Sequence, residues 1–136
     1  MIDLRYGRES ISLDIPDSFD VLFAEPEDDP LSDHQIGELL EDPIGAARIE
    51  DLVSPDETVL FVVPDATRSS GAGQIVNLLV RRLIANGTMP YDIAAIFATG
   101  IHRPVTEGEK AAILTPFIAQ RIKTLDHGPR DLMRIV

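Results

Sequence analysis

Two short loops hold the side chains with usable chemistry. The loop from Pro64 to Gly73 contains a carboxylate, Asp65, and a guanidinium, Arg68. The loop from Thr99 to Pro104 contains an imidazole, His102, and a guanidinium, Arg103. A guanidinium presents a planar fork that suits phosphate or carboxylate. An imidazole exchanges a proton near neutral pH. Brought together, these groups describe a site for an anion with proton chemistry. Each also has a structural reading. Asp65 is of the type that caps loops and helices, and Arg68 could form an exposed ion pair of little worth. Gly71 and Gly73 could serve only a tight turn, and His102 could be a hydrogen-bonded structural histidine. His127, ahead of Gly128 and Pro129, reads as a turn residue, and His34, among acids, is given no role. G-A-G is not a dinucleotide fingerprint, and no G-x-x-x-x-G-K-[ST] phosphate loop occurs.

The elements that must position these loops follow from periodicity. Thr58 to Val63 is an unbroken apolar run rich in β-branched residues, the pattern of a strand covered on both faces. A helix over about Gly73 to Asn86 carries Val76, Leu79, Val80 and Leu83 as an apolar stripe, with Arg81 and Arg82 near its C-terminus and Gly87 beyond it. Asp92 to Ala98 reads as the next buried strand. Thr106 and Glu109 form a capping box for a helix through Leu114, which Pro116 breaks or restarts, and Phe117 to Gln120 adds a turn. Arg121 to Leu125 reads as a third strand and Met133 to Val136 as the beginning of another. If the strands at 58–63 and 92–98 are parallel neighbours, right-handed crossover sets both loops at one sheet edge. In open α/β sheets ligands bind there.

Upstream, Ile2, Leu4 and Tyr6, then Ile11, Leu13 and Ile15, alternate with polar residues around Gly7, which predicts a hairpin over 2–15. Residues 16–31, with Pro16, Pro26, Pro30 and many acids, read as a surface connection. Ser32 and Gln35 form a capping box for a helix to about Leu40. Asp42 and Pro43 open a second helix with Ile44, Ala47, Ile49 and Leu52 on its apolar side. The expected fold class is α/β: a Rossmann-like three-layer domain with a mostly parallel sheet, preceded by an N-terminal hairpin.

Composition narrows the function. At 136 residues, 44% hydrophobic and 26% charged, the chain fits one domain with a real core. It has no cysteine, so disulfides and thiolate metal sites are excluded. No run approaches a transmembrane length, and Met1 to Ser10 lacks the apolar core of a signal peptide, so the expected setting is cytoplasmic. The formal net charge of −11 argues against a broad nucleic-acid surface. The acids crowd the first half and the basic residues follow Arg68, so a local anion site remains compatible with that total.

Taken as motifs, the two loops are more specific than their residues one by one. Pro64-Asp65-Ala66-Thr67-Arg68, then A-T-G-I-H-R-P over Ala98 to Pro104 followed by Thr106 and Glu107, resemble the N-terminal domain of lactate racemase and its relatives. These are the racemases and epimerases dependent on a nickel-pincer nucleotide. D-P-I-G over Asp42 to Gly45 and the early Tyr6-Gly7 look like the same family, and the resemblance extends over essentially the whole chain. It implies that Asp65, Ala66, Thr67 and Arg68 bind the cofactor, a nickel pyridinium-3,5-bisthiocarboxylate mononucleotide. It also implies that His102 is a catalytic acid/base, taking the hydroxyl proton of a 2-hydroxy acid while a hydride moves to the cofactor, which carries the hard step. Ser69 stands where the family commonly has proline.

In that family the lysine tethering the cofactor, the histidine ligand to nickel and a second catalytic histidine belong to a further domain, whose motifs are not found in these residues. Residues 1–136 are therefore expected to be the N-terminal domain without its C-terminal domain, to supply no metal ligand, and to be inactive alone. The implied partners are a small-molecule 2-hydroxy acid substrate and that C-terminal domain, not nucleic acid or membrane. The alternative is a stand-alone α/β module that binds a nucleotide or anion without catalysis.

Overall fold

The computed structural model describes residues 1–22, 29–68 and 70–128. Ser69 and the strand expected at Met133 to Val136 lie outside the described residues. The chain divides into two compact units, Met1–Pro30 and Leu31–Val136.

In the first unit, β1 (Ile2–Tyr6) pairs antiparallel with β2 (Glu9–Leu13). Tyr6 stands opposite Glu9, which closes the hairpin at Gly7 as expected. Ile2 faces Leu13 and Leu4 faces Ile11, so the alternating apolar residues share one side of the ribbon. Asp3 and Ser12 are also opposite each other, and the Ser12 hydroxyl donates to the Asp3 carboxylate at 2.5 Å.

The second unit begins with α1 (Asp33–Glu41), whose capping box is the one expected from Ser32 and Gln35. A second helix does not start at Pro43. Gly45 takes a left-handed φ of 68°, which a continuing helix does not permit, and α2 is a single turn, Ile49–Leu52. Ile44, expected on the helix's apolar side, is exposed instead. Then follow β3 (Val59–Pro64), α3 (Ala72–Ala85), β4 (Ile93–Ala98), α4 (Glu107–Ala119) and β5 (Lys123–Asp126). The three strands form one parallel sheet in the order β3-β4-β5.

Parallel neighbours need a crossover, and each crossover here is a helix. Because the strand order advances without reversing, two right-handed crossovers carry α3 and α4 to the same face. There Val76, Val80 and Leu83 of α3 and Leu114 and Ile118 of α4 close over Val63, Ile93, Ala95 and Phe97. Full burial of aliphatic side chains of this size contributes about 2 kcal/mol each. The opposite face is apolar as well, but the described residues leave it largely open. Leu60 is 57% and Val62 71% exposed, and the register lays Ile96 and Leu125 beside them. The unalternating sequence of β3 suggests cover on both sides, and neither crossover can reach the second side.

Two details tie the helices to each other. Thr115, ahead of Pro116, leaves the helical region at φ 62°, ψ 149° and kinks α4; the residue before a proline is sterically disfavoured in the α region, which accounts for the extended ψ and not for the positive φ. Its hydroxyl donates to the Asn77 side chain at 3.0 Å, and the Asn77 amide donates to the Gly73 carbonyl at 2.6 Å. Across the same contact, a Cβ on Gly73 would lie 2.0 Å from the Ile113 carbonyl oxygen. Arg82 bridges to Glu50 at 2.5 Å and Glu41 at 2.8 Å, fastening α1 and the residues of α2 to α3.

The Gly73 contact yields a prediction. Gly73→Ala forces α3 and α4 apart and lowers the unfolding free energy by about 1–3 kcal/mol. Gly37→Ala in α1, where a Cβ meets nothing within 4 Å, is neutral or stabilises by up to about 1 kcal/mol. Urea denaturation of the two variants checks the difference, and equal midpoints would mean that the two helices are not packed this closely.

Candidate active site

β3 and β4 end level, with Pro64 opposite Ala98. The loops that leave them are therefore neighbours, as the sequence expects of parallel adjacent strands. The first loop folds on Asp65. Its carbonyl accepts from the Arg68 N–H at 3.1 Å. Its carboxylate oxygen Oδ1 accepts from the Thr67 N–H at 3.1 Å and the Thr67 hydroxyl at 2.6 Å. This is the local turn that aspartate favours.

The second loop is pinned at several points. The His102 N–H donates to the Thr99 carbonyl at 2.9 Å. The Thr99 hydroxyl donates to the His127 carbonyl, and the His127 N–H donates to the Phe97 carbonyl at 2.9 Å, so the end of β5 holds the start of the loop. His127 thus serves through its backbone, in keeping with its turn reading. Arg103 forks onto both oxygens of Glu109 at 2.7 and 2.8 Å. Glu109 is also the third helical residue of α4 and closes its capping box with Thr106. The Val105 N–H donates to Asp126 at 3.1 Å, and Asp126 pairs with the buried Lys110 at 2.9 Å.

This scaffolding brings His102 Nδ1 to 2.5 Å from Asp65 Oδ2. Asp65 is 5% exposed, whereas the His102 side chain is 45% exposed. The Thr67 hydroxyl, and after it His102, hold the Asp65 carboxyl below the usual carboxylate range. Asp65, Ala66, Thr67, His102 and Arg103 surround a small cavity of about 50 Å³.

A larger cavity of about 240 Å³ adjoins Asp65 and is lined by Arg68, Ser70, Gly71, Gly73 and Gln74. No side chain caps α3, whose N-cap is Gly71, whereas α1 and α4 both carry capping boxes. Arg68 is exposed, and none of the ion pairs among the described residues uses it. An uncapped helix N-terminus beside a guanidinium that no described ion pair engages is an arrangement that attracts an anion.

Of the residues singled out in the sequence, Asp65, Ala66, Thr67 and His102 meet at one cavity and Arg68 stands at the next. Arg103 lines the same small cavity as His102, as expected, but its guanidinium is engaged by Glu109. Asp126 and Thr99 were not anticipated as supports. Their signal is positional only, an aspartate at the end of a strand and a threonine opening a loop. Among the described residues no group of three or more His, Cys, Asp or Glu could hold a metal ion. No described helix is long and apolar enough to cross a membrane.

The clamp on the second loop can be tested by pH. Arg103, and then the Thr106 N–H and hydroxyl, push the Glu109 carboxyl down to about 2. A lowered carboxyl stabilises the fold above its unfolded value of about 4.3 and loses that contribution as pH falls toward the folded value. Glu109→Gln keeps a capping acceptor but not the charge. The variant is expected to show a shallower loss of stability between about pH 4.3 and pH 2, read as urea midpoints across that range. Identical slopes would show that the clamp carries no weight.

No curated protein matches the sequence. Among solved structures, the chain is similar to the lactate racemase apoprotein from Thermoanaerobacterium thermosaccharolyticum, with a TM-score of 0.71 at 24% identity. The match covers 96% of this chain and 30% of that one, so the chain spans less than a third of that relative's length. That likeness concerns the fold. The family model for the lactate racemase N-terminal domain matches residues 6–136, and the chain belongs to that family.

Proposed function

We propose that residues 1–136 form the N-terminal domain of a 2-hydroxy acid racemase or epimerase dependent on a nickel-pincer nucleotide. In this reading the domain binds the nucleotide and handles the proton of the reaction. The observation that carries it is the contact of His102 with Asp65, set beside an anion-attracting cavity.

The residues present fit a mononucleotide's phosphate. The larger cavity, at about 240 Å³, has several times the ~30 Å³ that a water molecule occupies. Arg68 offers a fork of donors, and the first turn of α3 offers backbone N–H groups and the positive end of its dipole. Ala66 and Thr67 supply the turn between that cavity and His102. The fit does not extend to the metal, for which the described residues offer no ligand cluster. When bound, the nucleotide supplies the redox chemistry at the substrate's carbon. His102 takes the proton from the substrate's hydroxyl and returns it after inversion. The cavity at His102 is about 50 Å³, too small to enclose even a three-carbon acid. The opposing wall therefore comes from the remaining polypeptide of the longer enzyme.

Two measurements test this reading. In this chain, Arg68→Ala weakens the affinity for nicotinate mononucleotide, a pyridinium mononucleotide, by at least about tenfold, the effect of losing one charge-assisted contact. Unchanged affinity removes Arg68 from the phosphate site. In the longer enzyme loaded with cofactor, His102→Ala lowers the rate of 2-hydroxy acid racemisation by at least about a hundredfold. Turnover that survives undiminished rules out the acid/base role.

A further inference from the structure

We infer that Asp65 is a positioning residue for His102 and not a ligand of the nucleotide: it fixes the imidazole with its proton on Nδ1 and leaves the Nε2 lone pair as the base. The inference rests on the proposed function for the identity of the proton's source, but the contact stands without it.

The argument starts from acceptor capacity. A carboxylate only accepts, through about four lone-pair positions. Oδ1 of Asp65 is taken by two donors, the Thr67 N–H and hydroxyl, and Oδ2 by His102 Nδ1. With the residue 5% exposed, little of the group is left for a ligand, and an anionic acceptor repels a phosphate. Since the carboxylate cannot donate, the contact at 2.5 Å requires the proton to sit on Nδ1. In the neutral imidazole the other ring nitrogen, Nε2, then carries the lone pair, and the side chain as a whole is half exposed. An aspartate that holds an imidazole in one tautomer is the same device that orients a general base in acyl-transfer triads. The Thr67 bonds keep the carboxylate from rotating, and the pinned backbone of the second loop keeps the imidazole within reach. The two loops thus converge on the orientation of one ring, and in the neutral imidazole that orientation makes Nε2 the accepting nitrogen.

Long-range proton–nitrogen NMR on the chain labelled with nitrogen-15 reads the tautomer directly, with no nucleotide needed. The wild type is expected to show His102 protonated on Nδ1 in its neutral form. Asp65→Ala is expected to relax the ring toward the Nε2–H form that free imidazole favours in water. It should also keep its affinity for nicotinate mononucleotide within about threefold of wild type, while Arg68→Ala loses at least about tenfold. A wild-type His102 protonated on Nε2 overturns the proposal, whether or not any variant folds. So does an Asp65→Ala protein that keeps the Nδ1–H form, or one that loses nucleotide affinity as severely as Arg68→Ala. Failure of both wild type and Arg68→Ala to bind the mononucleotide, with the tautomer as expected, counts against the cofactor reading and leaves the positioning role supported.

Discussion

Parallel strands paired in register end level with each other, and the candidate site depends on that. Val59 to Pro64 and Ile93 to Ala98 are matched residue for residue, so their following loops start side by side. A slip of one residue would turn Ile93, Ala95 and Phe97 out of the core to the bare face of the sheet. The burial of those three side chains therefore holds the register, and the register holds Asp65 against His102. The close approach of α3 and α4 at Gly73 belongs to the same chain of constraint, because both helices pack on one face of the same three described strands.

Much of this was legible in the sequence because it is set locally. Both capping boxes appear where Ser32 and Thr106 announce them, since a hydroxyl and a carboxyl or amide three residues on satisfy the same backbone groups in any fold. The apolar runs at β3 and β4 mark strands because no helical period competes there. The parts that escaped are those decided by neighbours distant in sequence. D-P-I-G looked like a helix start until Gly45 adopted a left-handed turn. Thr58 to Val63 looked covered on both faces because a run of apolar residues does not record the order in which strands will line up.

Arg68 and Arg103 show the same limit at the site. Both are arginines in polar loops beyond a strand, and their types suggest one role. What separates them is Glu109, one turn into the following helix, which engages Arg103 with two oxygens. The first turn of α3, the helix that follows Arg68, holds no acidic residue, and none of the ion pairs among the described residues uses Arg68. In a chain with a formal charge of −11, a guanidinium that no carboxylate among the described residues engages stands out against the field around it, and that contrast is what suits it to an exogenous anion.

The advance of the strands from β3 to β5 without reversal has a consequence for how such a protein can change. A crevice between diverging strands, where strand order turns back, would be walled on two sides by one piece of chain. The described strands make no such turn, so in the function proposed above the residues that handle a proton and the surfaces that enclose a substrate would be carried on separable pieces of polypeptide. Variation in the enclosing piece can then alter which molecules are admitted while leaving the imidazole and its carboxylate undisturbed. On that proposal, selectivity and reactivity would become, in effect, independently heritable.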